Sequence, residues 1–139
     1  MRAPDAVRKP PVTIAPEGSI AEAACLMDKN VVGALVVMEG GARPVGVVTD
    51  RDVVLRGVSF GLRPAMTTVR QVMTKKVLYV YDDQSLTDAS LVMEKNFVHR
   101  LLVHDRQERL VGIVSLSDIA ARSKEERLCG HVLGKVVAA

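Results

Sequence analysis

Two stretches decide how this chain folds: Gly46-Val47-Val48-Thr49-Asp50-Arg51-Asp52 and Gly112-Ile113-Val114-Ser115-Leu116-Ser117-Asp118. Each has a glycine, a β-branched pair, a hydroxyl residue, and an Asp three positions after the hydroxyl. That order is what a buried strand needs when it gives way to a capped helix. The stretches lie 66 positions apart, and the agreement continues upstream without a gap. Val45 meets Val111, Arg43 meets Arg109, Val37 meets Val103 and Leu35 meets Leu101. Further back, Lys29-Asn30 meets Lys95-Asn96, Met27 meets Met93, Ala23 meets Ala89 and Ser19 meets Ser85. Ungapped agreement of this extent is a tandem duplication, so one parse serves both halves.

Each copy reads βαββα. It opens with a β-like run, Val12-Thr13-Ile14 or Val77-Leu78-Tyr79-Val80-Tyr81. A helix follows from a capping box, Ser19 with Glu22 and Ser85 with Asp88, the Asp being the weaker partner. Its apolar positions recur at helical spacing: Ile20, Ala23, Ala24 and Met27, then Leu86, Ala89 and Met93. Cys25, inside that pattern, reads as a small core residue.

A buried strand comes next, Ala34 to Met38 or Arg100 to His104, then a polar turn and a second strand, Val45 to Val48 or Leu110 to Val114. The pair reads as a hairpin. A second helix begins near Thr49 and near Ser115. Residues 55 to 76 read as a connection, with Gly57, Gly61 and Pro64 marking a loop before a short helix at Val69 to Met73. The predicted organisation is a first motif over 1–57, a linker with its short helix over 58–76, a second motif over 77–122 and a tail or helix over 123–139. The fold class is α/β, with the two units packed about a pseudo-twofold axis and two related clefts between them.

Composition narrows the function. Aromatic residues are 3% of the chain and there is no Trp, so aliphatic side chains fill the core and aromatic platforms for stacking bases are lacking. The net charge of +3 comes from scattered residues rather than a basic stripe, which leaves nucleic-acid binding without support beyond the charge itself. Two cysteines, Cys25 and Cys129, make no disulfide framework and suit a reducing cytoplasm. No run is long enough to span a membrane, and Met1 to Pro11 does not read as a signal peptide.

The hydroxyl–Asp pairs carry the candidate chemistry. Thr49 with Asp52, and Ser115 with Asp118, satisfy a helix cap without any ligand. The same position offers free N–H groups and a hydroxyl for a phosphate, and a carboxylate that can accept from a ribose diol. His99-Arg100 stands where the first copy has Gly33-Ala34, so the second copy alone brings two potential cations. The plainer reading of His99-Arg100 is a solvated strand end. A hydrolytic triad of His99, Ser115 and Asp118 lacks an oxyanion motif, and Asp118 already has a capping role. Cys129-Gly130-His131 is at most half a metal site. The tail beyond Ala121 reads as a helix closing the core or as a dimer contact.

With these residues in view, both copies resemble cystathionine β-synthase (CBS) domains, and the pair resembles a Bateman module of the stand-alone bacterial type. The second copy is also similar to a nucleotide-binding motif of the regulatory γ subunits of AMP-activated protein kinase, through Val98-His99-Arg100-Leu101 and Gly112 to Asp118. The resemblance implies a non-catalytic sensor of an adenosine-containing ligand: AMP, ADP, ATP or S-adenosylmethionine. By that resemblance, Asp52 and Asp118 hold ribose hydroxyls, and Thr49, Ser115 and Ser117 line the ribose and phosphate. His99 and Arg100 face phosphates, with Arg51 doing so in the first copy, and main-chain groups near Ile14 and Val80 meet the adenine. It further implies a cytoplasmic homodimer acting on an unidentified effector protein, with no required cofactor. The alternative is a ligand-independent oligomerisation or interaction module.

Overall fold

A computed structural model describes residues 11–122, which divide into two compact units, Pro11–Val77 and one beginning at Leu78. In the first, β1 (Thr13–Ile14) pairs parallel with β2 (Ala34–Glu39), and β2 pairs antiparallel with β3 (Arg43–Thr49). Between β1 and β2 runs α1 (Ile20–Asn30). After β3 come α2 (Asp50–Asp52), a π-helical turn (Val53–Gly57), a 3-10 turn (Val58–Phe60) and α3 (Val69–Val72). The second unit repeats the order: β4 (Tyr79–Tyr81), α4 (Leu86–Asn96), β5 (Arg100–His104), β6 (Leu110–Ser115) and α5 (Leu116–Arg122), in the sheet order β4-β5-β6. Among the described residues no helix is long and apolar enough to cross a membrane.

The α/β architecture and both hairpins agree with the sequence reading. Even the irregularity is duplicated: the register slips between Val37 and Met38, and again between Val103 and His104. A bulge at the same place in both copies bends the two hairpins alike. In each unit, alternate residues of the central strand and one residue of the strand after it pack on the helix. Leu35, Val37 and Val48 meet Ile20, Ala23 and Met27 in one core; Leu101, Val103 and Val114 meet Leu86, Ala89 and Met93 in the other. The opposite-facing residues, Val36 and Leu102, are buried as well. That accounts for a continuous apolar run in place of strict alternation.

Three expectations need correcting. Cys25 and Ala24 are exposed, not core. The face of α1 that packs is set by Ile20, Ala23 and Met27, and at about 3.6 residues per turn Cys25 falls on the far side. The capping boxes are ranked the other way round. Ser85 and Asp88 close reciprocally, Asp88 N–H to Ser85 Oγ at 3.0 Å and Ser85 N–H to Asp88 Oδ2 at 3.1 Å. Ser19 only accepts from the Glu22 N–H at 3.0 Å, while its main chain bridges to Thr68. Lastly, the chain after Thr49 stays helical to Phe60 where a loop was expected from residue 55. Arg56 explains part of this, reaching from that turn to the carbonyls of Val72 (3.3 Å) and Met73 (3.2 Å) at the end of α3. The following segment supplies Val69, Val72 and Met73 to the first core.

Gly46 shows why a glycine ends the run-up to the first motif. A Cβ there would lie 2.8 Å from the Thr74 carbonyl oxygen and 2.9 Å from Met73 Sδ. The chain leaving α3 passes directly over β3, where Val47 and Thr74 exchange hydrogen bonds of 3.0 and 2.9 Å.

Candidate functional site

Each hairpin brings its candidate residues to the end away from its turn. In the first unit Ala34 is paired with Thr49, and the Asp50 N–H donates to the Gly33 carbonyl at 3.0 Å. In the second, Arg100 is paired with Ser115, and the Leu116 N–H donates to the His99 carbonyl at 2.8 Å. His99, Arg100, Ser115, Ser117 and Asp118 therefore share one strand end, as Thr49, Arg51 and Asp52 share the other. Ile14 and Val80 lie further along, opposite Val37 and Val103. Their side chains are core, so only their main chain is available for contact.

The capping pattern is present in full. Thr49 Oγ1 accepts from the Asp52 N–H at 3.1 Å, and Asp52 Oδ2 accepts from the Thr49 N–H at 3.0 Å. Ser115 Oγ accepts from the Asp118 N–H at 3.0 Å, Asp118 Oδ2 accepts from the Ser115 N–H at 2.9 Å, and the Ser115 hydroxyl donates to the same oxygen at 2.8 Å. Ser117 Oγ lies 3.0 Å from Ser115 Oγ. The Ser115 hydroxyl is thus engaged with Asp118 and Ser117, an arrangement that holds hydroxyls at a strand end.

The two copies differ in how far this machinery is enclosed. Asp52 is buried, with Thr74 Oγ1 at 3.4 Å from both carboxylate oxygens and Arg56 Nε at 3.9 Å from Oδ1. The sequence reading named neither partner: Arg56 is an i,i+4 signal that it passed over, whereas Thr74 is 22 residues away and approaches only because the chain crosses β3. Asp118 and Ser115 are half-buried, and His99 and Ser117 are exposed.

Charge differs too. Arg43, Arg56, Arg70, Arg106 and Arg109 are each ion-paired with a carboxylate. Among the described residues Arg51, Arg63 and Arg100 have no such pair, and of these Arg51 and Arg100 lie at the strand ends. Arg100, half-buried, is the ladder partner of Ser115, whose hydroxyl lies 3.0 Å from that of Ser117. In the first copy the place that corresponds to the His99 side chain belongs to an acid. The exposed Asp50 carboxylate fills the space that Gly33 leaves, since a Cβ at residue 33 would lie 3.2 Å from Asp50 Oδ2. Asp50 Oδ1 also accepts the Arg51 N–H at 2.8 Å. Around it is an open concavity of about 350 Å³ lined by Asp50, Arg51, Val54 and Leu55. The sequence signal for Asp50 was the substitution of His99 by Gly33, read there only as a missing cation.

Among the described residues no cluster of His, Cys, Asp or Glu is placed to hold a metal ion. Cys129-Gly130-His131 and the tail, read as a closing helix or a dimer contact, lie outside the described residues.

The family model described as CBS domain matches residues 5–58 and 69–125. CBS domain-containing protein YhcV of Bacillus subtilis is 38% identical over 124 residues, covering 89% of this chain and 86% of the relative. The CBS domain protein PAE2072 of Pyrobaculum aerophilum, solved with AMP, matches at TM-score 0.78 and 26% identity over the whole of both chains. The CBS domain pair of protein MJ0100, solved with 5′-methylthioadenosine and S-adenosyl-L-methionine, matches at TM-score 0.77 and 26% identity, covering 87% of this chain and 94% of that one.

Proposed function

Because this chain belongs to the CBS domain family, its two matched segments forming a tandem pair, we propose that it is a regulatory module that binds an adenosine-containing ligand and performs no catalysis. AMP, ADP, ATP and S-adenosylmethionine are the candidates; AMP in one similar structure and S-adenosylmethionine in another support that range. The observation that carries the proposal is the second strand end. There an Arg without an ion pair among the described residues shares the strand end with two hydroxyls and a half-buried carboxylate. That set matches a ribose joined to a phosphate: the carboxylate accepts from the ribose diol, and the cation and hydroxyls meet the phosphate oxygens.

In this reading Asp118 and Asp52 take the ribose hydroxyls. Ser115, Ser117 and Thr49 line the ribose and phosphate, and His99 and Arg100 face phosphate, with Arg51 serving the first copy. The main chain at Ile14 and Val80 contacts adenine. A sensor of adenine nucleotides acts in the cytoplasm, and the free Cys25 thiol suits that reducing compartment.

Calorimetric titration of the full chain with each ligand tests this. Asp118→Asn is expected to weaken AMP binding about tenfold, roughly 1.4 kcal/mol, since the amide keeps the shape and loses the anionic acceptor. AMP affinity unchanged in Asp118→Asn and in Arg100→Gln would exclude the second strand end as the site.

A second reading, assembly without ligand, has its own observation. Val54, Leu55, Val58, Phe60, Leu62 and Met66 are exposed within one short segment, Phe60 at 74% and Met66 at 78%. Clustered exposed apolar side chains mark association surfaces, and a homodimer through this segment is its simplest form. Light scattering on Phe60→Asp, with and without AMP, separates the readings: assembly lost with binding retained leaves the sensor reading standing.

A further inference from the structure

We infer that the second unit carries a proton-operated latch: when His104 is protonated, its Nδ1–H closes on Glu108 and fastens the β5–β6 turn to the sheet. The latch lies at the turn end of the hairpin, away from Ser115 and Asp118, and is independent of the adenosine reading.

His104 is 8% exposed, and neither of its ring nitrogens has a hydrogen-bond partner among the described residues. A neutral imidazole carries one N–H donor, and leaving a buried donor unbonded is unfavourable. The ring is nonetheless fixed in place. It stacks on Tyr79, with centroids 4.8 Å and planes 18° apart, and Tyr79 meets Tyr81 edge-on at 5.5 Å. Val80 and Val103 belong to the core, so strand alternation puts both tyrosines and His104 on the other face of the sheet.

Glu108 Oε2 lies 3.8 Å from His104 Nδ1, too far for a hydrogen bond and within reach of one after a movement of about 1 Å. A stiff turn sets Glu108 there. Its backbone is left-handed at φ 62°, and its N–H donates to the Asp105 carbonyl at 3.0 Å. The Asp105 carboxylate takes the Gln107 and Arg109 N–H groups, each at 2.9 Å. The other Glu108 oxygen, Oε1, accepts from the Tyr81 hydroxyl at 2.6 Å. That bond holds the Tyr81 phenol well above its usual value, so Tyr81 stays a donor wherever histidine titrates. The other charges nearby are engaged elsewhere. Arg106 lies over the Tyr81 ring at 4.1 Å and pairs with Asp83 at 2.7 Å, and Arg109 pairs with Asp105 at 2.7 Å. Asp82 meets His104 through its main chain, its N–H donating to the His104 carbonyl at 2.8 Å. Glu108 is therefore the anion that a protonated His104 meets. An imidazolium donates from both nitrogens, so Nδ1–H gains a charge-assisted bond to Oε2 and the ring a cation–π contact with Tyr79. The first unit has no counterpart: 66 residues earlier stand Met38 for His104, Ala42 for Glu108, and Thr13 and Ala15 for the tyrosines.

The test is a double-mutant cycle on the full chain: the unaltered protein, His104→Phe, Glu108→Gln and the double variant. Each is unfolded in urea at about pH 5 and about pH 8, the two ends of the range in which an ordinary histidine changes charge. The first substitution keeps a stacked ring and loses the titratable nitrogens; the second keeps an acceptor for the Tyr81 hydroxyl and loses the charge. At about pH 5 the double variant's loss in unfolding constant should fall short of the product of the single losses about two- to fivefold. At about pH 8 it should equal that product. Both tyrosines of the chain sit in this cluster and there is no Trp, so tyrosine emission reports on it directly. Emission should change along one transition as the pH falls across that range, and stay flat in His104→Phe. Coupling of equal size at both pH values, coupling at neither, or a transition that survives in His104→Phe overturns the inference. Flat emission from the unaltered chain overturns it without any variant.

Discussion

The Ser115–Asp118 pair is where stability and binding can be separated by measurement. Ser115→Ala removes the acceptor of the Asp118 N–H (3.0 Å) and the donor to Asp118 Oδ2 (2.8 Å). Loss of such a cap costs about 1 kcal/mol, within a range of about 0.5–2. Asp118→Ala removes the acceptor of the Ser115 N–H (2.9 Å) and of the same hydroxyl. For a half-buried pair its cost is also about 1 kcal/mol. The bonds are shared, so the double variant should lose about 1.5 kcal/mol rather than 2, an interaction of about 0.5 kcal/mol. The assay is urea denaturation of the four proteins, repeated with AMP. Ligand at a hundred times its dissociation constant should add about 2.7 kcal/mol to the unaltered chain, and clearly less to Asp118→Ala at the same concentration. Strictly additive losses without ligand would refute the shared network. An equal AMP increment in all four proteins would show that the pair is a cap and nothing more.

Three further outcomes follow from the geometry. Val31 and Phe97 end their helices in the left-handed region, at φ 54° and 52°, and both are exposed. Val31→Gly should therefore raise stability by about 0.5–1 kcal/mol, the relieved backbone cost of about 1–2 less glycine's entropy, read as a shift in denaturation midpoint; no shift would mean that αL is not strained there. Gly46→Ala should cost about 1–3 kcal/mol, because the added methyl meets the Thr74 carbonyl; a neutral result in thermal unfolding would deny the close crossing over β3. Hydrogen bonds from Arg70 and then Arg43 hold the Glu39 carboxyl below its usual value of 4.5. A lowered folded pKa contributes stability that is fully present above the usual value and is lost as the pH falls through the lowered one. Glu39→Gln should therefore flatten the acid limb of the stability–pH curve, and an unchanged limb would show that the Arg70 contact does not persist in solution.

Sequence by itself determined the duplication, the βαββα order, the two hairpins and the hydroxyl–Asp caps. These are legible because they rest on local chemistry: short apolar strand runs, helical spacing, and hydrogen bonds closed between residues three apart. It also located the asymmetry between Gly33-Ala34 and His99-Arg100. Tertiary structure decided matters that depend on what arrives from a distance. Cys25 lies in an apolar pattern, yet only the seating of α1 on β2 and β3 settles which stripe is covered. Residues 55–60 read as a loop, but Arg56 ties them to the end of α3 and they remain helical. Gly46 is obligatory because a chain segment from beyond residue 70 crosses it. The empty position at Gly33 proved to be occupied by the Asp50 carboxylate, which turns a missing cation into a placed anion. A side chain's type is written in the sequence; the charge that a ligand meets at a strand end depends on which neighbour fills the space there.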